Sequence, residues 1–460
     1  MKAAFQNAFE AYVKTIMETY GAVGMAVTAI DAQKTLYRRF FGWADIQRQQ
    51  PINEDTLFGL ASVTKSFTCL AIMQLYEKRI IDINDPVSKY IPEFTNKNGK
   101  TVRVYHLMSH SAGFYPQKRL CVKPVAQALG LDPYQEDLAY SEKLAQEGIR
   151  RVAENLDNQT ERIADPGEFL SYSNDSYGLL ADIIRRYGGQ RSYAEYIKKN
   201  LLDPLGMERS CCDFLKVAQD PNTATLYYHQ DGELRATRDF YDHAFVLMGG
   251  GSLKSTITEM EKYVRMYLLN GWGEMEQIIQ SESIGQMVIP RVNYRYGSKY
   301  GFGLAISRLE DWQLLGHGGS LPGVSSQFLW SPQLQKGVVV LCNTSGVPVS
   351  AVAQAAMRML ADLPPVEQPA YRERPWDEET VRAACGSYEC DEGTTAELVP
   401  YENGIGIVSG DTVLPMKMLA PDVLVFRDRM VDGDVKLFFR KKDGSVWGLR
   451  RGGRVLKKIK

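Results

Sequence analysis

Ser62 and Lys65 are the residues whose types and spacing first indicate chemistry. Lys65 follows Ser62 by three positions, and no other serine of the chain has a lysine at that distance. The pair precedes a largely apolar run, residues 67–75, which favours a helix, and residues three apart on a helix share a face. A hydroxyl and an amine would then lie side by side, where apolar surroundings favour the neutral, proton-accepting amine. An N-capping serine followed by a solvated lysine has the same pattern, so the pair alone leaves both interpretations open.

Two further short motifs carry reactive or hydrogen-bonding side chains later in the chain. Tyr172 and Asn174 follow a Pro-Gly turn signal and precede the apolar positions of a predicted helix. His317 begins the glycine-rich sequence His-Gly-Gly-Ser-Leu-Pro-Gly, which lies between predicted strands and which we expect to form a turn. Neither motif is specific by itself, because turn tyrosines, N-capping asparagines and glycine turns are all common.

Two other arrangements are weaker candidates for chemistry. His106 and His110 are four positions apart, as in a zinc-binding helix, but Leu107 stands where a metalloprotease needs a glutamate. We therefore interpret both histidines as packed or hydrogen-bonded structural residues and expect no metal. Ser252 and Lys254 form a Ser-x-Lys sequence directly after three glycines, which we interpret as the start of an ordinary turn.

The composition is typical of a soluble globular protein and gives no sign of a nucleic-acid or membrane partner. The 460 residues include 54 basic and 55 acidic ones, well interleaved, and 44% are hydrophobic. No stretch approaches the length of a membrane span, and the N-terminal residues lack the apolar core of a signal peptide. The seven cysteines have no disulfide or zinc spacing. We expect a cytoplasmic protein with no cofactor, which acts on a small molecule or short peptide, and the oligomeric state stays open.

The elements that must position the candidate residues follow from periodicity and turn signals. Helices are expected at the N-terminus, from residue 62 to about 78, and over 177–187, 193–202, 258–269 and 351–361. Strands are expected over 23–30, 36–41, 303–309, 312–315, 325–330 and 337–341. Residues 114–165 contain three prolines and lose clear periodicity, which is typical of a lid or a substrate-shaping insertion.

The C-terminal part of the chain is predicted to be a separate unit. Residues 362–376 contain four prolines and are interpreted as a linker. Beyond them, glycine turns separate six predicted strands, at 396–400, 405–408, 413–418, 423–428, 436–441 and 446–450. Six short strands in so few residues favour a small antiparallel barrel over 377–460. The Lys/Arg cluster that closes the chain is expected to be a solvated terminal strand.

The three motifs, Ser62-x-x-Lys65, Tyr172-x-Asn174 and His317-Gly318-Gly319, occur in the order used by the serine β-lactamase-like hydrolases. The wider sequence of residues 1–361 also resembles this family, and the tyrosine of the second motif is similar to the class C β-lactamase, D-aminopeptidase and esterase branch. The resemblance implies an α/β (α+β) fold, with an antiparallel sheet flanked by helices and an all-helical subdomain over 1–361. It also implies a small lipocalin-like antiparallel β-barrel over 377–460.

By the same resemblance, Ser62 attacks a carbonyl carbon and forms an acyl-enzyme, while Lys65 and Tyr172 act as a coupled base. We expect the lysine ammonium to lower the pKa of the Tyr172 phenol. The backbone N–H groups of Ser62 and Ser320 would form the oxyanion hole, and Asn174 would hydrogen-bond the acyl side chain of the substrate.

His317 departs from the β-lactamases and transpeptidases, which usually have a lysine there to meet the substrate carboxylate. Histidine is mostly neutral near pH 7, and His-x-Gly, here ending in Gly319, is what D-aminopeptidase-like and some esterase-like members carry. We therefore predict a serine hydrolase for a small amide or ester, with His317, Gly319 and Ser320 among the substrate-binding residues. The alternatives are a β-lactamase or D,D-carboxypeptidase, and a non-catalytic binding protein on the same fold.

Overall fold

The structure is a computed structural model that describes residues 3–97, 99–134, 138–240, 245–367, 371–440 and 442–459. Parts of the predicted insertion (135–137), of the predicted linker (368–370) and of one predicted strand (Lys441) lie outside the described residues. The helices are α1 Ala3–Tyr20, α2 Thr64–Glu77, α3 Val87–Tyr90, α4 Val104–Met108, α5 Val122–Ala128, α6 Glu142–Asp157, α7 Asn174–Tyr187, α8 Tyr193–Ile197, α9 Phe214–Gln219, α10 Ile257–Leu268, α11 Ser281–Met287, α12 Val349–Leu360 and α13 Glu378–Ala384. The strands are β1 Gly24–Asp31, β2 Thr35–Asp45, β3 Gln50–Pro51, β4 Phe58–Gly59, β5 Leu226–Gln230, β6 Glu233–Thr237, β7 Lys254–Ser255, β8 Val292–Asn293, β9 Lys299–Tyr300, β10 Ala305–Leu309, β11 Trp312–Leu321, β12 Val324–Ser331, β13 Lys336–Cys342, β14 Gly386–Glu389, β15 Thr395–Tyr401, β16 Gly404–Ser409, β17 Thr412–Ala420, β18 Val423–Asp428, β19 Val431–Phe439, β20 Val446–Arg451 and β21 Arg454–Lys458.

A nine-stranded antiparallel sheet organises the larger part of the chain. Its strand order is β3-β2-β1-β13-β12-β11-β10-β9-β8, so the N-terminal hairpin joins strands from residues 292–342 where β1 pairs with β13. The sequence predicts this hairpin and the four later strands, and the structure confirms them with ends shifted by a few residues. None of the helices in the described part of the chain has both the length and the apolar composition of a membrane span.

The two faces of the sheet are buried in two separate apolar cores. Because successive side chains of a strand point to opposite faces, Met25 and Val27 of β1 pack in one core with α1 and α12, whereas Ala26 packs in the other. That second core also contains Phe67 of α2 and Tyr263 of α10, whose rings stack with centroids 3.7 Å apart. Helix α2 therefore lies in the core on the second face of the sheet, packed against α10.

The predicted insertion, residues 114–165, contributes side chains to the second core, the one that contains Phe67 and Tyr263. Helix α6 is capped by Ser141, the residue before it, whose Oγ accepts a hydrogen bond from the backbone N–H of Leu144. Its apolar side chains, Leu144, Val152 and Leu156, are buried in the same core as α2. The segment thus buries an ordinary amphipathic helix, and its closure over the site stays a prediction.

The glycine-rich sequence that begins at His317 is mostly strand, and not the turn that we predicted for its whole length. Residues 317–321 lie within β11, where His317 is opposite Phe328 of β12, and only Pro322 and Gly323 form a turn. The turn needs Gly323, whose φ is +73°. Glycines inside a strand allow another backbone to approach closely, and the strand interpretation explains the motif better than a turn does.

Eight consecutive strands, β14 to β21, form a closed antiparallel barrel in which β14 also pairs with β21. Leu398, Ile407 and Leu449 are among the buried residues that fill its interior. The prediction of a barrel is confirmed, but the predicted count of six strands is wrong. Strand β14 has only four residues, and β21 lies in the basic terminal cluster, so neither has the alternating pattern of a half-buried strand.

Replacement of Phe9 by alanine is expected to destabilise the core in which α1 and α12 pack against the sheet. Phe9 of α1 is fully buried and meets Tyr37 of β2 edge to face, with centroids 5.7 Å apart. Loss of such a ring typically costs about 3–5 kcal/mol, so the thermal unfolding midpoint should fall clearly. Lys14→Ala, at an exposed position of the same helix, should change it little, and equal midpoints for the two variants would contradict the assignment of this core.

Candidate active site

Ser62 lies in a tight turn directly before α2. Ala61, Ser62 and Val63 form a 3₁₀ turn that continues into the helix at Thr64. Ala61 has a φ of +46°, which is unusual for a residue with a side chain and costs on the order of 1–3 kcal/mol. The turn leaves Ser62 half-buried while its neighbours on both sides are buried. The serine is therefore presented at the surface of a rigid, strained turn.

Lys65 is fully buried beneath this serine and has three polar partners. Its Nζ lies 3.1 Å from Ser62 Oγ, 2.8 Å from Asn174 Oδ1 and 2.7 Å from the carbonyl oxygen of Gly250. The amide and carbonyl oxygens can only accept hydrogen bonds, whereas the hydroxyl can also donate one. A neutral amine would give its two hydrogens to Asn174 and Gly250 and direct its lone pair at the Ser62 hydroxyl.

The surroundings of Lys65 favour that neutral amine. Burial lowers the pKa of Lys65 well below its ordinary value, and the charge of Arg454 lowers this pKa further. The carboxylate of Glu392 acts in the opposite direction with a smaller effect. The direction of this pKa shift is the one that the sequence predicts for a lysine in apolar surroundings.

Tyr172 lies beside the same pair and is 2% exposed. Lys65 Nζ is 4.9 Å from the centroid of its ring, and a hydrogen bond with Ser62 lowers the pKa of the phenol. Burial has the larger effect, however, so the pKa of Tyr172 is raised above its ordinary value. Our expectation of a lowered phenol pKa is therefore wrong, because the raising effect of burial exceeds the lowering effects of the Arg454 charge and of the hydrogen bond with Ser62.

The structure also gives the positions of Asn174 and of the two histidines, His106 and His110. Ser173 caps α7, and Asn174 is its first residue, with its amide oxygen on Lys65. His110 stacks on Tyr172, with ring centroids 3.9 Å apart, and accepts the N–H of Ser173 at Nδ1. His106 Nδ1 accepts the N–H of Arg103. His110 thus supports the Tyr172 ring, a contact that its spacing from His106 does not indicate.

His317 is buried with both ring nitrogens engaged. Its Nε2 lies 2.8 Å from the hydroxyl of Tyr300, and its Nδ1 lies 2.6 Å from the carbonyl oxygen of Gly318. A carbonyl only accepts, so Nδ1 carries the proton and Nε2 accepts from the phenol. Burial lowers the pKa of His317 to about 3, with a further contribution from Lys65. The residue is therefore neutral at physiological pH and supplies no fixed cation.

Strand β11 passes closely over the turn that holds Ser62. A Cβ atom on Gly319 would lie 2.2 Å from the carbonyl oxygen of Leu60 and 3.0 Å from the backbone nitrogen of Ser62. Only glycine permits this approach, because the nearest atom belongs to rigid backbone. Ser320, the next residue, is exposed. The structure thus brings Gly319 against Ser62 and leaves the adjoining Ser320 accessible.

Ser252 and Lys254, the Ser-x-Lys pair that we interpret as part of a turn, are arranged differently from Ser62 and Lys65. Lys254 Nζ donates to the carbonyl oxygen of Ser252, and Ser252 Oγ donates to the carbonyl oxygen of Met248, each at 2.8 Å. The lysine also lies over the ring of Phe214, 3.7 Å from its centroid. Its amine is not directed at the Ser252 hydroxyl, so this pair lacks the geometry of a nucleophile with its base.

Two residues of the barrel enter the site, and sequence reasoning missed both. Glu392, in the turn between β14 and β15, accepts a hydrogen bond from Asn174 Nδ2 at 2.6 Å. Arg454, the first residue of β21, donates to Glu392 through Nε at 2.8 Å, and its guanidinium carbon lies 4.5 Å from the Tyr172 ring centroid. Nothing in the local spacing of either residue indicates these contacts, which arise because the barrel lies against Tyr172 and the first residue of α7.

Asp175 is a further missed residue. It lies in the first turn of α7 and is 8% exposed. Burial raises its pKa to about 7, and the neighbouring charge of Glu392 contributes in the same direction. The carboxyl group therefore changes its charge in the physiological pH range, close to the cluster of Ser62, Lys65 and Tyr172.

Comparisons with known proteins agree with the fold. The family model named beta-lactamase matches residues 9–363. Penicillin-binding protein 4* of Bacillus subtilis (strain 168) is 26% identical over 419 residues, which is 84% of each chain. A D-aminopeptidase of Gluconobacter oxydans (strain 621H) is 24% identical and covers 88% of this chain and 70% of its own. The octameric penicillin-binding protein homologue from Pyrococcus abyssi is a similar solved structure, with a TM-score of 0.69, 27% identity and coverage of 98% of this chain and 99% of its own.

Gly319→Ala is expected to slow the reaction of Ser62 with a fluorophosphonate probe by about a hundredfold, since displacement of a reacting group by about 1 Å can have that effect. The new methyl group would push β11 away from the turn that holds Ser62. Gly318→Ala is the matched control, because its nearest contact, at 2.7 Å, is the movable end of the Gln327 side chain. A probe reaction slowed equally in both variants would argue against the close approach at Gly319.

Asp175→Asn is expected to change how stability depends on pH. The pKa of Asp175 is raised in the folded protein to about 7 from an ordinary 3.8. Its contribution to stability is thus complete below about pH 4 and is lost as the pH rises through 7, by up to about 4 kcal/mol. The variant should melt at a higher temperature than the wild type at pH 8 and lose this advantage towards pH 4. A melting difference independent of pH would contradict the raised pKa.

Proposed function

Since the chain belongs to the beta-lactamase family of hydrolases, we propose that it is a serine hydrolase that cleaves an amide or ester bond of a small substrate. The proposed nucleophile is Ser62, and the proposed general base is Lys65 together with Tyr172. One observation carries this proposal: Lys65 Nζ is 3.1 Å from Ser62 Oγ, while its two other partners are obligate acceptors. A lysine held in this way is oriented to take the serine proton.

The proposed reaction moves one proton around a short cycle. As Ser62 Oγ bonds to the substrate carbonyl carbon, its proton passes to Lys65 Nζ. The Tyr172 phenol then gives its proton to the leaving amine or alcohol as the bond to that group breaks, and the Lys65 ammonium returns a proton to the phenolate. The same groups act in reverse order when water attacks the acyl-enzyme. The raised pKa of Tyr172 suits this role, because the phenol is protonated and can act as an acid.

The oxyanion hole is proposed to consist of the backbone N–H groups of Ser62 and Ser320. The close packing of Gly319 against the nitrogen of Ser62 supports this, because it brings β11 beside the nucleophile. Loss of one such donor typically costs about 2.7–4 kcal/mol of transition-state stabilisation. Asn174, with its amide between Lys65 and Glu392, is proposed to contact the acyl side chain of the substrate after exchanging its bond to Glu392.

We propose a D-aminopeptidase-like or esterase-like substrate rather than a β-lactam. The relatives named D-aminopeptidase support the peptide class. The neutral, fully engaged His317 weighs against a substrate that needs a fixed cation at that position. The relative named penicillin-binding protein 4* keeps a β-lactamase or D,D-carboxypeptidase as the second candidate. We also propose a catalytic domain over 1–361 and a barrel domain over 377–460, which the separate barrel core supports.

The nucleophile is tested by labelling with a fluorophosphonate, in which the attacking serine displaces fluoride from phosphorus. Ser62→Ala should abolish labelling, because the probe forms its bond to Ser62 Oγ. Ser252→Ala is the matched control and should label at the wild-type rate, since the Ser252 hydroxyl is bonded to the carbonyl oxygen of Met248. Labelling that survives in Ser62→Ala would refute the nucleophile, and an unlabelled wild type would support a non-catalytic binding protein.

The substrate class is tested with D- and L-aminoacyl p-nitroanilides, p-nitrophenyl esters and the β-lactam nitrocefin. The proposal expects the highest kcat/KM for an aminoacyl amide or an ester and slow turnover of nitrocefin. Preferential turnover of nitrocefin would show that the buried, neutral His317 does not prevent β-lactam hydrolysis, and the second candidate would then replace the first.

A further inference from the structure

The hairpin of β20 and β21 is fitted closely to Tyr172. The carbonyl oxygen of Gly453, in the turn of this hairpin, accepts the backbone N–H of Tyr172 at 2.9 Å. Gly453 has a φ of +87°, and a Cβ there would lie 2.9 Å from the ring of Tyr294 and 3.4 Å from Cβ of Tyr172. The turn therefore needs glycine both for its conformation and for its contact with the site.

The residue after this turn brings a charge to the phenol. The Arg454 guanidinium carbon is 4.5 Å from the centroid of the Tyr172 ring, nearer than Lys65 Nζ at 4.9 Å. Two hydrogen bonds, at 2.8 and 3.2 Å, fix the guanidinium on the carboxylate of Glu392, whose side chain is 7% exposed. Glu392 in turn accepts from Asn174. The barrel thus places a fixed ion pair beside the groups proposed to move the proton.

We propose that Arg454 is a positioning residue that holds the Tyr172 phenol in place, and that its charge favours the deprotonated forms of both Tyr172 and Lys65 during the proton cycle. This inference rests on the proposed function, because it acts through the proton cycle of Ser62, Lys65 and Tyr172. A cation near the face of an aromatic ring attracts a phenolate more strongly than a neutral phenol. The barrel would then be a working part of the active site.

The two charges of the ion pair have opposite effects on the pKa of Tyr172, and likewise on the pKa of Lys65. Arg454 lowers the pKa of both groups, and on both its effect is larger than that of Glu392, which raises them. Removal of the arginine charge should therefore make both groups harder to deprotonate, and removal of the carboxylate charge should make it easier. A purely structural ion pair would give no such pair of opposite shifts.

Other titratable groups near Tyr172 must be accounted for. Two of them, His110 and His317, are held neutral by burial, which lowers the pKa of each. Asp175 faces Glu392 and has a pKa raised to about 7, so it titrates in the range of interest. The titratable and charged groups that face Tyr172 from the packed elements are Lys65, His110, Tyr294, Tyr300, His317, Glu392 and Arg454.

The test measures the rate of fluorophosphonate labelling against pH for the full chain in an Asp175→Asn background. Arg454→Met should move the rising limb of the profile to higher pH by about one unit, with about a tenfold loss of rate below the limb. Arg454→Lys, which keeps the charge, should restore most of the rate, and Glu392→Gln should move the limb to lower pH. Limbs that coincide in all four proteins would overturn the proposal, as would Arg454→Lys behaving like Arg454→Met.

Two controls separate the possible failures. Ser62→Ala must abolish labelling; if it does not, the proposed function fails, whereas a labelled Ser62 with an unshifted limb refutes only the role of Arg454. Circular dichroism melting reports whether a variant is folded. Arg454→Met could unfold because it leaves Glu392 unpaired, and in that case the double variant Glu392→Gln/Arg454→Met is used, which removes both charges. Because the effect of Arg454 is larger than that of Glu392, the proposal expects the rising limb of the double variant at a higher pH than that of the background protein, by less than one unit.

Discussion

The burial of one amine is the constraint on which the rest of the site depends. An ammonium inside a protein is costly unless it is paired, and Lys65 has no carboxylate among its three hydrogen-bond partners. Burial therefore favours the neutral form, and the two obligate acceptors then leave the lone pair for Ser62. The apolar sequence of α2, the strained turn at Ala61 and the overlying β11 serve this one arrangement, because each keeps water away from the amine or fixes the serine above it.

The same burial changes what Tyr172 can do. In a wet site an adjacent ammonium would make the phenol a base, but here burial favours both the neutral amine and the protonated phenol. In the proposed reaction, Lys65 would be the proton acceptor beside the serine, and the Tyr172 phenol would be the proton donor to the leaving group. An ionised phenol would arise only within that proposed cycle, and the positive charge of Arg454 beside the ring would then have its largest effect.

The parts of the site that are local in sequence could be predicted, and those that depend on packing could not. Ser62 and Lys65 are one helical turn apart, and the apolar run behind them already indicates a buried amine. The sequence predicts a turn at the glycines after His317, whereas they lie in β11, because the sequence does not reveal that Gly319 must lie against the carbonyl oxygen of Leu60. Glu392 and Arg454 lie in a polar turn and a basic terminal segment. Their patterns are those of solvated surface, and only the contact of the barrel with Tyr172 and Asn174 brings them to the site.

The same contact also explains why Arg454, in a terminal strand whose sequence suggests solvent exposure, lies beside the buried Tyr172. Strand β21 must close the barrel against β14, which fixes its position, and its first residue, Arg454, then lies beside the ring of Tyr172. The glutamate that pairs with Arg454 comes from the turn between β14 and β15, on the same rim, so barrel closure positions both charges together. Because an unpaired buried charge is far more costly than a paired one, the two residues depend on each other. The paired charges in turn contact Tyr172 and Asn174, so the fold of the barrel and the electrostatics around Tyr172 and Lys65 are physically coupled.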